Sequence, residues 1–425
     1  MAFKRTVHGL SVAALTGAVI LAAAPATFAD QTRRDQWALE ALQAESVWKV
    51  STGKGITVAV IDNGVNPDHI DLKGNVLKGR DFKDGDGDPS PEGSDSGAGH
   101  GTAMASIIAG HGHGRAGGDG VKGLAPDAKI LPIRSGDGYA DAIRYAVDQG
   151  ASIINVSEFQ TQDLSQDREA VAYALDHNVL IVSGSGNNGT TNIQFPAKYP
   201  GVLTVGGVDS SGEIWRKSNY GPEVLLTAPA SRIVHAGWPG NAKLSIGDGT
   251  SDATAYVSAA AALLRAKFPD LTPGQIANRL VKTAVVPSSV KGISLPDQKY
   301  GYGIINPLEA LTRDIPAGSK YGPLKLSGTG GTSSSAGKSD RSATGSEKAD
   351  QKQMLFFVVL GVGALVVVGL IVLLIVKLSR RNKKNNGGPD GLGSYQNYGQ
   401  QQPPPHQNPY QQDPTSPQGQ WPPRQ

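Results

Sequence analysis

The feature that most restricts the fold is a set of short apolar runs that do not alternate. Residues 57–61 (Thr-Val-Ala-Val-Ile), 129–133, 152–156, 179–182 and 202–205 are each of strand length and largely apolar at consecutive positions. A strand with one solvated face would alternate with a period of two, so these runs suit strands covered on both faces of a parallel sheet. Helix-like segments at 139–149 and 167–177 stand between them. A succession of βαβ units is the economical arrangement, and in such sheets the reactive residues gather beyond the carboxyl ends of the strands. The predicted fold class is α/β, a three-layer arrangement with a mainly parallel central sheet.

The two ends of the 425-residue chain read differently. Lys4 and Arg5 precede a small-residue apolar run at 10–24 and then Thr27-Phe28-Ala29, the pattern of a signal peptide over residues 1–29. Residues 354–376 are 23 positions without a charge. As a helix they would extend about 34 Å, enough for a hydrocarbon core of about 30 Å, so a transmembrane helix is expected there. Lys377, Arg380, Arg381, Lys383 and Lys384 follow directly, which puts the C-terminus in the cytoplasm and everything before the span outside. Residues 315–353 read as a flexible Gly/Ser linker. Residues 377–425 combine the basic stop-transfer cluster with a Pro/Gln-rich tail too poor in apolar side chains to fold alone.

That leaves a folded domain at 54–314 and an N-terminal extension at 30–53. An extension of this size is below the roughly 40 residues at which a chain folds unaided, so it is expected to lie against the domain. The predicted location is a single-pass plasma-membrane protein with the folded domain extracellular. Composition removes other classes. Lys+Arg number 40 against Asp+Glu 37, a net charge of +3, which argues against a nucleic-acid partner. With no cysteine, thiolate catalysis, zinc–thiolate sites and disulfides are excluded.

Three short motifs and one asparagine carry chemistry. Val58-Ala59-Val60-Ile61-Asp62-Asn63-Gly64 places a carboxylate where a buried strand ends. Gly99-His100-Gly101-Thr102 opens an apolar helix, and Gly249-Thr250-Ser251-Asp252-Ala253-Thr254 opens another that runs to about Phe268. Each has an ordinary reading as a turn or cap. Together they offer an Asp–His–Ser set: Ser251 needs a base to take its proton, His100 supplies one, and Asp62 holds the imidazole in the required tautomer. The backbone N–H of Ser251 at a helix N-terminus can face a developing oxyanion. Gly184-Ser185-Gly186-Asn187-Asn188-Gly189, directly after a strand, offers Asn187 as the second oxyanion donor.

The chain order Asp62, His100, Ser251 resembles that of the subtilisin-like serine proteases, the subtilases. The resemblance covers nearly all of residues 53–311. It includes Phe195-Pro196-Ala197-Lys198-Tyr199-Pro200, Ser218-Asn219-Tyr220-Gly221-Pro222, Ala228-Pro229 and Tyr300-Gly301-Tyr302-Gly303-Ile304-Ile305-Asn306-Pro307, in family order. A narrower resemblance is to the mycosins, membrane-anchored subtilases associated with type VII secretion, which share the signal peptide, the start around Asp35-Gln36-Trp37, the tether and the single C-terminal span. It implies an endopeptidase acting on an exported polypeptide beside membrane proteins of a secretion complex.

Departures from the family pattern are informative. Asp252 and Ala255 stand where subtilases usually carry Met or Phe and then Pro, and Ser157-Glu158-Phe159 replaces the usual Ser-Leu-Gly of the substrate-pairing strand. The resemblance assigns Ser157 and Glu158 to one edge of the substrate cleft and Ser135 and Gly136 to the other. These departures leave a second reading open, a catalytically weak or silent subtilase domain kept as a structural component of a membrane complex. Mycosins usually carry cysteine pairs that this chain lacks. No cofactor is required, and the one metal candidate is calcium at Asp84, Asp86 and Asp88, whose alternate carboxylates suit a hard cation, although Pro89 breaks the EF-hand pattern.

Overall fold

The computed structural model of the protein describes residues 29–94 and 97–324, all within one compact unit. The expected signal peptide, most of the linker, the transmembrane helix and the tail lie outside the described residues. Among the described residues no helix is long and apolar enough to cross a membrane.

The chain runs α1 (Ala29–Asp35), α2 (Trp37–Ala41), α3 (Ala44–Trp48), β1 (Thr57–Ile61), β2 (Arg80–Asp81), α4 (His100–Ala109), β3 (His111–His113), β4 (Asp119–Lys122), β5 (Lys129–Arg134), α5 (Ala140–Asp148), β6 (Ile153–Val156), α6 (Ser165–Asp176), β7 (Leu180–Gly184), β8 (Leu203–Val208), β9 (Val224–Pro229), β10 (Ile233–Ala236), β11 (Leu244–Gly247), α7 (Thr250–Lys267), α8 (Pro273–Thr283) and α9 (Pro307–Thr312). Seven strands form one sheet in the order β2-β5-β1-β6-β7-β8-β9. Every ladder in it is parallel. The five apolar runs are β1, β5, β6, β7 and β8, and every residue of β6, β7 and β8 is buried, as two-sided coverage requires.

The order reverses at β1, which has β5 on one flank and β6 on the other. Crossovers leave in opposite directions there, so a crevice opens beyond the carboxyl ends of these strands. Asp62, Ser135, Ser157 and Asn187 all fall just after the ends of β1, β5, β6 and β7.

Two apolar layers cover the sheet. α4 and α7 share one core with β1 and β7 to β9, and α5 and α6 share the other with β1, β5, β6 and β7. α7 is buried from Thr250 to Arg265 because its alanine-rich face lets the helix lie close on the sheet, and alanine also forms helix at least cost. α8 starts where the sequence dictates, with a Thr272–Gln275 capping box and proline in its first turn.

The N-terminal extension contributes to the first core. Leu39, Leu42, Ala44 and Val47 are buried there. The indole N–H of Trp37 donates to Ser231 O (3.1 Å) and that of Trp48 to Leu124 O (3.0 Å), so both aromatic residues satisfy their polar edge against the domain. Leu42 is 2% exposed. Leu42→Ala is expected to destabilise the folded domain by about 2–5 kcal/mol, seen as a lower urea midpoint with an unchanged slope; an unchanged midpoint would contradict the extension's place in the core.

Candidate active site

Asp62 extends β1 by one residue, its N–H donating to Ile133 O at 3.0 Å. Its side chain is 1% exposed, and its two oxygens lie 2.8 and 2.9 Å from His100 Nδ1. A carboxylate only accepts, so Nδ1 carries the proton, and in the neutral ring Nε2 is the free acceptor. Asn63 fixes the helix that carries His100: its Oδ1 accepts from Gly101 N at 3.0 Å and its Nδ2 donates to Gly97 O. Thr102 Oγ1 accepts from Asn66 N at 2.9 Å. Position 101 must be glycine, because a Cβ there would lie 2.3 Å from Gly64 O and 3.0 Å from Asp62 Cβ. The His-Gly-Thr triplet thus supplies the ring, the close approach and the tie to the facing loop.

Burial alone would push the His100 imidazole down. The charge of Asp62, its hydrogen bond, and then the charges of Asp252 and Glu158 outweigh it and raise the pKa to about 9.

α7 begins after Gly249 and has no side-chain cap, so Ser251 is its second residue and neither Thr250 nor Ser251 serves as the cap. Ser251 Oγ donates to Ser157 O at 3.5 Å, a long bond that leaves the hydroxyl easily redirected. Ser251, His100 and Asn187 line one cavity of about 350 Å³, walled by α4, the start of α7 and the β10–β11 hairpin. Asn187 Oδ1 accepts from both Thr250 N (2.9 Å) and Thr250 Oγ1 (2.8 Å). The backbone N–H can only donate, which settles which side-chain atom is oxygen and leaves Nδ2 as the donor beside Ser251. The loop bearing Asn187 is braced by Asn219, whose Oδ1 accepts from Asn188 N and Thr190 N at 3.0 and 3.1 Å. A Cβ on Gly249 would lie 3.5 Å from Ser251 N and 3.7 Å from Asn187 Nδ2, so its absence keeps open the space that both donors face.

The residues assigned to the substrate cleft divide. Ser135, Gly136 and Glu158 line a second cavity of about 470 Å³ with Asp62, Phe82 and Tyr139. Ser135 Oγ donates to Glu158 Oε2 at 2.7 Å, and burial pushes the Glu158 carboxyl up, with the charge of Asp62 adding to it. Ser157 is instead buried, its carbonyl holding Ser251 and its hydroxyl accepting from Asn155 Nδ2 at 2.9 Å. Asn155 Oδ1 in turn accepts from Ser258 Oγ at 3.0 Å, tying α7 to β6. The sequence did not signal the β10–β11 hairpin, which brings His235, Trp238 and Asp248 to the cavity that Ser251 lines.

The calcium candidate does not form a ligand set. Asp84, Asp86 and Asp88 are exposed, and Asp86 and Asp88 turn their carboxylates onto the backbone of their own loop. Among the described residues the acids that converge are Asp81, Asp84 and Glu92, and Arg134 already pairs with all three. The guanidinium supplies the positive charge that a metal would bring, so these residues do not fit calcium.

A parallel α/β sheet with an Asp–His pair and a helix-borne serine at its switch point belongs to the serine hydrolases of the subtilisin type. The comparisons specify the group. Residues 53–303 match the subtilase family model of the S8 peptidases, and the chain belongs to that family. Mycosin-1 of Mycobacterium tuberculosis is 31% identical over 381 residues, spanning 72% of this chain and 80% of that protein. Thermitase of Thermoactinomyces vulgaris is 33% identical over 237 residues, 54% of this chain and 81% of its own. The crystal structure of MycP1 from the ESX-1 type VII secretion system superposes with a TM-score of 0.58 at 31% identity, covering 68% of this chain and 89% of that one. Family membership makes the chain a subtilisin-like serine endopeptidase.

The pair geometry yields a sign for one substitution. Asp62→Asn removes the nearest negative charge, so the His100 ring, raised to about 9, should titrate at lower pH. Following its Cε1–H resonance by NMR across pH 5 to 10 checks this, and an unshifted midpoint would refute the assigned source of the stabilisation.

Proposed function

We propose that this protein is a membrane-anchored serine endopeptidase acting outside the plasma membrane through Asp62, His100 and Ser251, in association with a type VII secretion system. The observation that carries the catalytic reading is the doubly bonded Asp62–His100 pair, with Ser251 and His100 facing one cavity. His100 Nε2 takes the proton as Ser251 Oγ turns from Ser157 O and bonds to the substrate carbonyl carbon. Ser251 N and Asn187 Nδ2 donate to the oxygen that gains charge, each such donor contributing about 2.7–4 kcal/mol in the transition state. The imidazolium then protonates the leaving amine, and water repeats the sequence on the acyl-enzyme, returning Ser251 to its hydroxyl form.

The charge-free stretch at 354–376 and the basic cluster behind it support anchoring, with the domain on the far side from the cytoplasm. The match to mycosin-1, which spans 72% of this chain and 80% of that protein, supports an exported polypeptide substrate and neighbouring secretion proteins. A solved relative drawn from the ESX-1 type VII secretion system points the same way. Asp252 favours the second reading, a silent subtilase domain in a membrane complex, because it adds negative charge beside Ser251 N and Asn187 Nδ2, where a carbonyl oxygen must develop it.

Labelling of the purified protein with a serine-directed fluorophosphonate separates the two. Modification that rises with pH between 6 and 9 and disappears in Ser251→Ala is expected; none at any pH would leave the silent reading standing. The Glu158 carboxylate in the 470 Å³ cavity further predicts a preference for a Lys or Arg side chain on that side of the cleaved bond. Glu158→Leu should remove at least about tenfold of the kcat/KM advantage of basic over neutral peptides, the fold equivalent of roughly 1.4 kcal/mol. Equal selectivity in both proteins would contradict it.

A further inference from the structure

Asp252 follows the nucleophile directly and is 3% exposed. Its Oδ1 is buried with no hydrogen-bond partner among the described residues. Its Oδ2 lies 3.4 Å from the Cβ position of Gly249, the point that is also 3.5 Å from Ser251 N and 3.7 Å from Asn187 Nδ2. The acid, the nucleophile's amide and the side-chain amide therefore surround one small space, in the cavity that His100 also lines. Among the described residues neither Lys nor Arg lines this cavity. A buried carboxylate with one oxygen lacking a donor is costly when charged unless a cation offsets it, and the His100 imidazole lines the same cavity.

From this geometry, and resting on the triad reading above, we infer that Asp252 is a positioning residue that sets the charge of His100: ionised, it keeps the imidazole protonated and the nucleophile idle, and neutralising it frees the base. The two groups share one proton across the neutral range. With the proton on Asp252, the ring is a competent base; with it on His100, Ser251 has no acceptor. The macroscopic steps belong to the pair and not to either residue. Burial raises the Asp252 carboxyl to about 7 despite the opposing charge of His100, with Asp248 adding to the rise, while His100 is raised to about 9.

The other groups facing the pair come from each surrounding element. Asp62 at the end of β1 and Glu158 after β6, which line the other cavity, add negative charge to the ring's surroundings. His235 on β10 is pushed down by burial, and the charge of His100 lowers it further. Asp248 after β11 is engaged by Ser231 Oγ and Arg232 N at 2.8 and 2.7 Å. Tyr256, one turn along α7, is raised chiefly by burial and stays neutral. None of these is both adjacent to Ser251 and without a partner, which singles out Asp252.

The sign follows from the charges. Base catalysis needs neutral His100, so activity is lost as pH falls through the imidazole pKa, and the nearer that pKa lies to 9 the more alkaline the active range. Asp252→Asn keeps the shape and removes the charge, so the active range should extend downward.

The test uses the full-length chain in detergent, as wild type, Asp252→Asn and the charge-retaining Asp252→Glu. The rate of Ser251-dependent fluorophosphonate labelling from pH 5 to 10 should show a rising limb whose midpoint moves down by about one unit in Asp252→Asn, a tenfold gain at fixed pH below it, and stays alkaline in Asp252→Glu. A second readout needs no chemistry: the His100 Cε1–H titration in a Ser251→Ala background, with and without Asp252→Asn. The same midpoint in both overturns the inference, whatever the labelling shows. Absent labelling with a shifted imidazole midpoint would remove the protease reading and retain the charge coupling, so the two failures are told apart.

Discussion

The hydrogen-bonded contact between Asp62 and His100 is the constraint around which the rest of the site is arranged. It joins the end of a buried strand to the first residue of a helix, and neither element can move without breaking it. The carboxylate is held by β1 between two parallel neighbours, and the ring is held by Asn63, Thr102 and the absence of a side chain at Gly101. Once α4 is fixed, it packs with α7 in the same core. That packing places Ser251 at the cavity lined by His100. Precision at the site is therefore borrowed from secondary structure, and loops contribute mainly through Asn187 and its Asn219 brace.

The strands were legible because burial on both faces leaves continuous apolar runs, a signal that no surface element imitates. Their ends were less so. β7 and β8 continue through Ser183-Gly184 and Gly206-Gly207, residues that local reasoning assigns to turns. β9 ends in Thr-Ala-Pro and was not anticipated, and its proline is tolerated because β9 is the last strand of the sheet. The candidate triad residues and Asn187 were visible because each stands at a junction between a strand or helix and a glycine-rich turn. The role of Ser157 was not, since its carbonyl meets Ser251 across 94 positions of chain. The alternating acids of the calcium candidate do not converge in the fold: Asp84 turns to Arg134, whereas Asp86 and Asp88 accept from the backbone of their own loop.

Charge is where sequence and structure diverge most. A net charge of +3 suggests nothing about the site, yet Asp62, Asp252 and Glu158 all act on one imidazole. Two of the three are departures from the pattern that subtilases usually carry, and their effects share a sign. Each favours the protonated ring. In the proposed mechanism each would therefore oppose base catalysis at neutral pH, while the same charges would favour the imidazolium formed by proton transfer from Ser251.

The absence of cysteine bears on the same balance. Without cysteine the domain takes its rigidity from packing alone. α7 is the member that makes this possible, since its alanine-rich surface lets it lie against β6 to β9 along nearly its whole length. Asp252 sits in the first turn of that helix. A carboxylate there is favoured by the helix N-terminus, an effect of about 0.3–1 kcal/mol at exposed positions and up to about 2 in partly buried ones, but burial without a donor costs more unless it is relieved by a proton or by His100. The helix that stabilises the fold thus carries into its core an acid whose charge acts on His100.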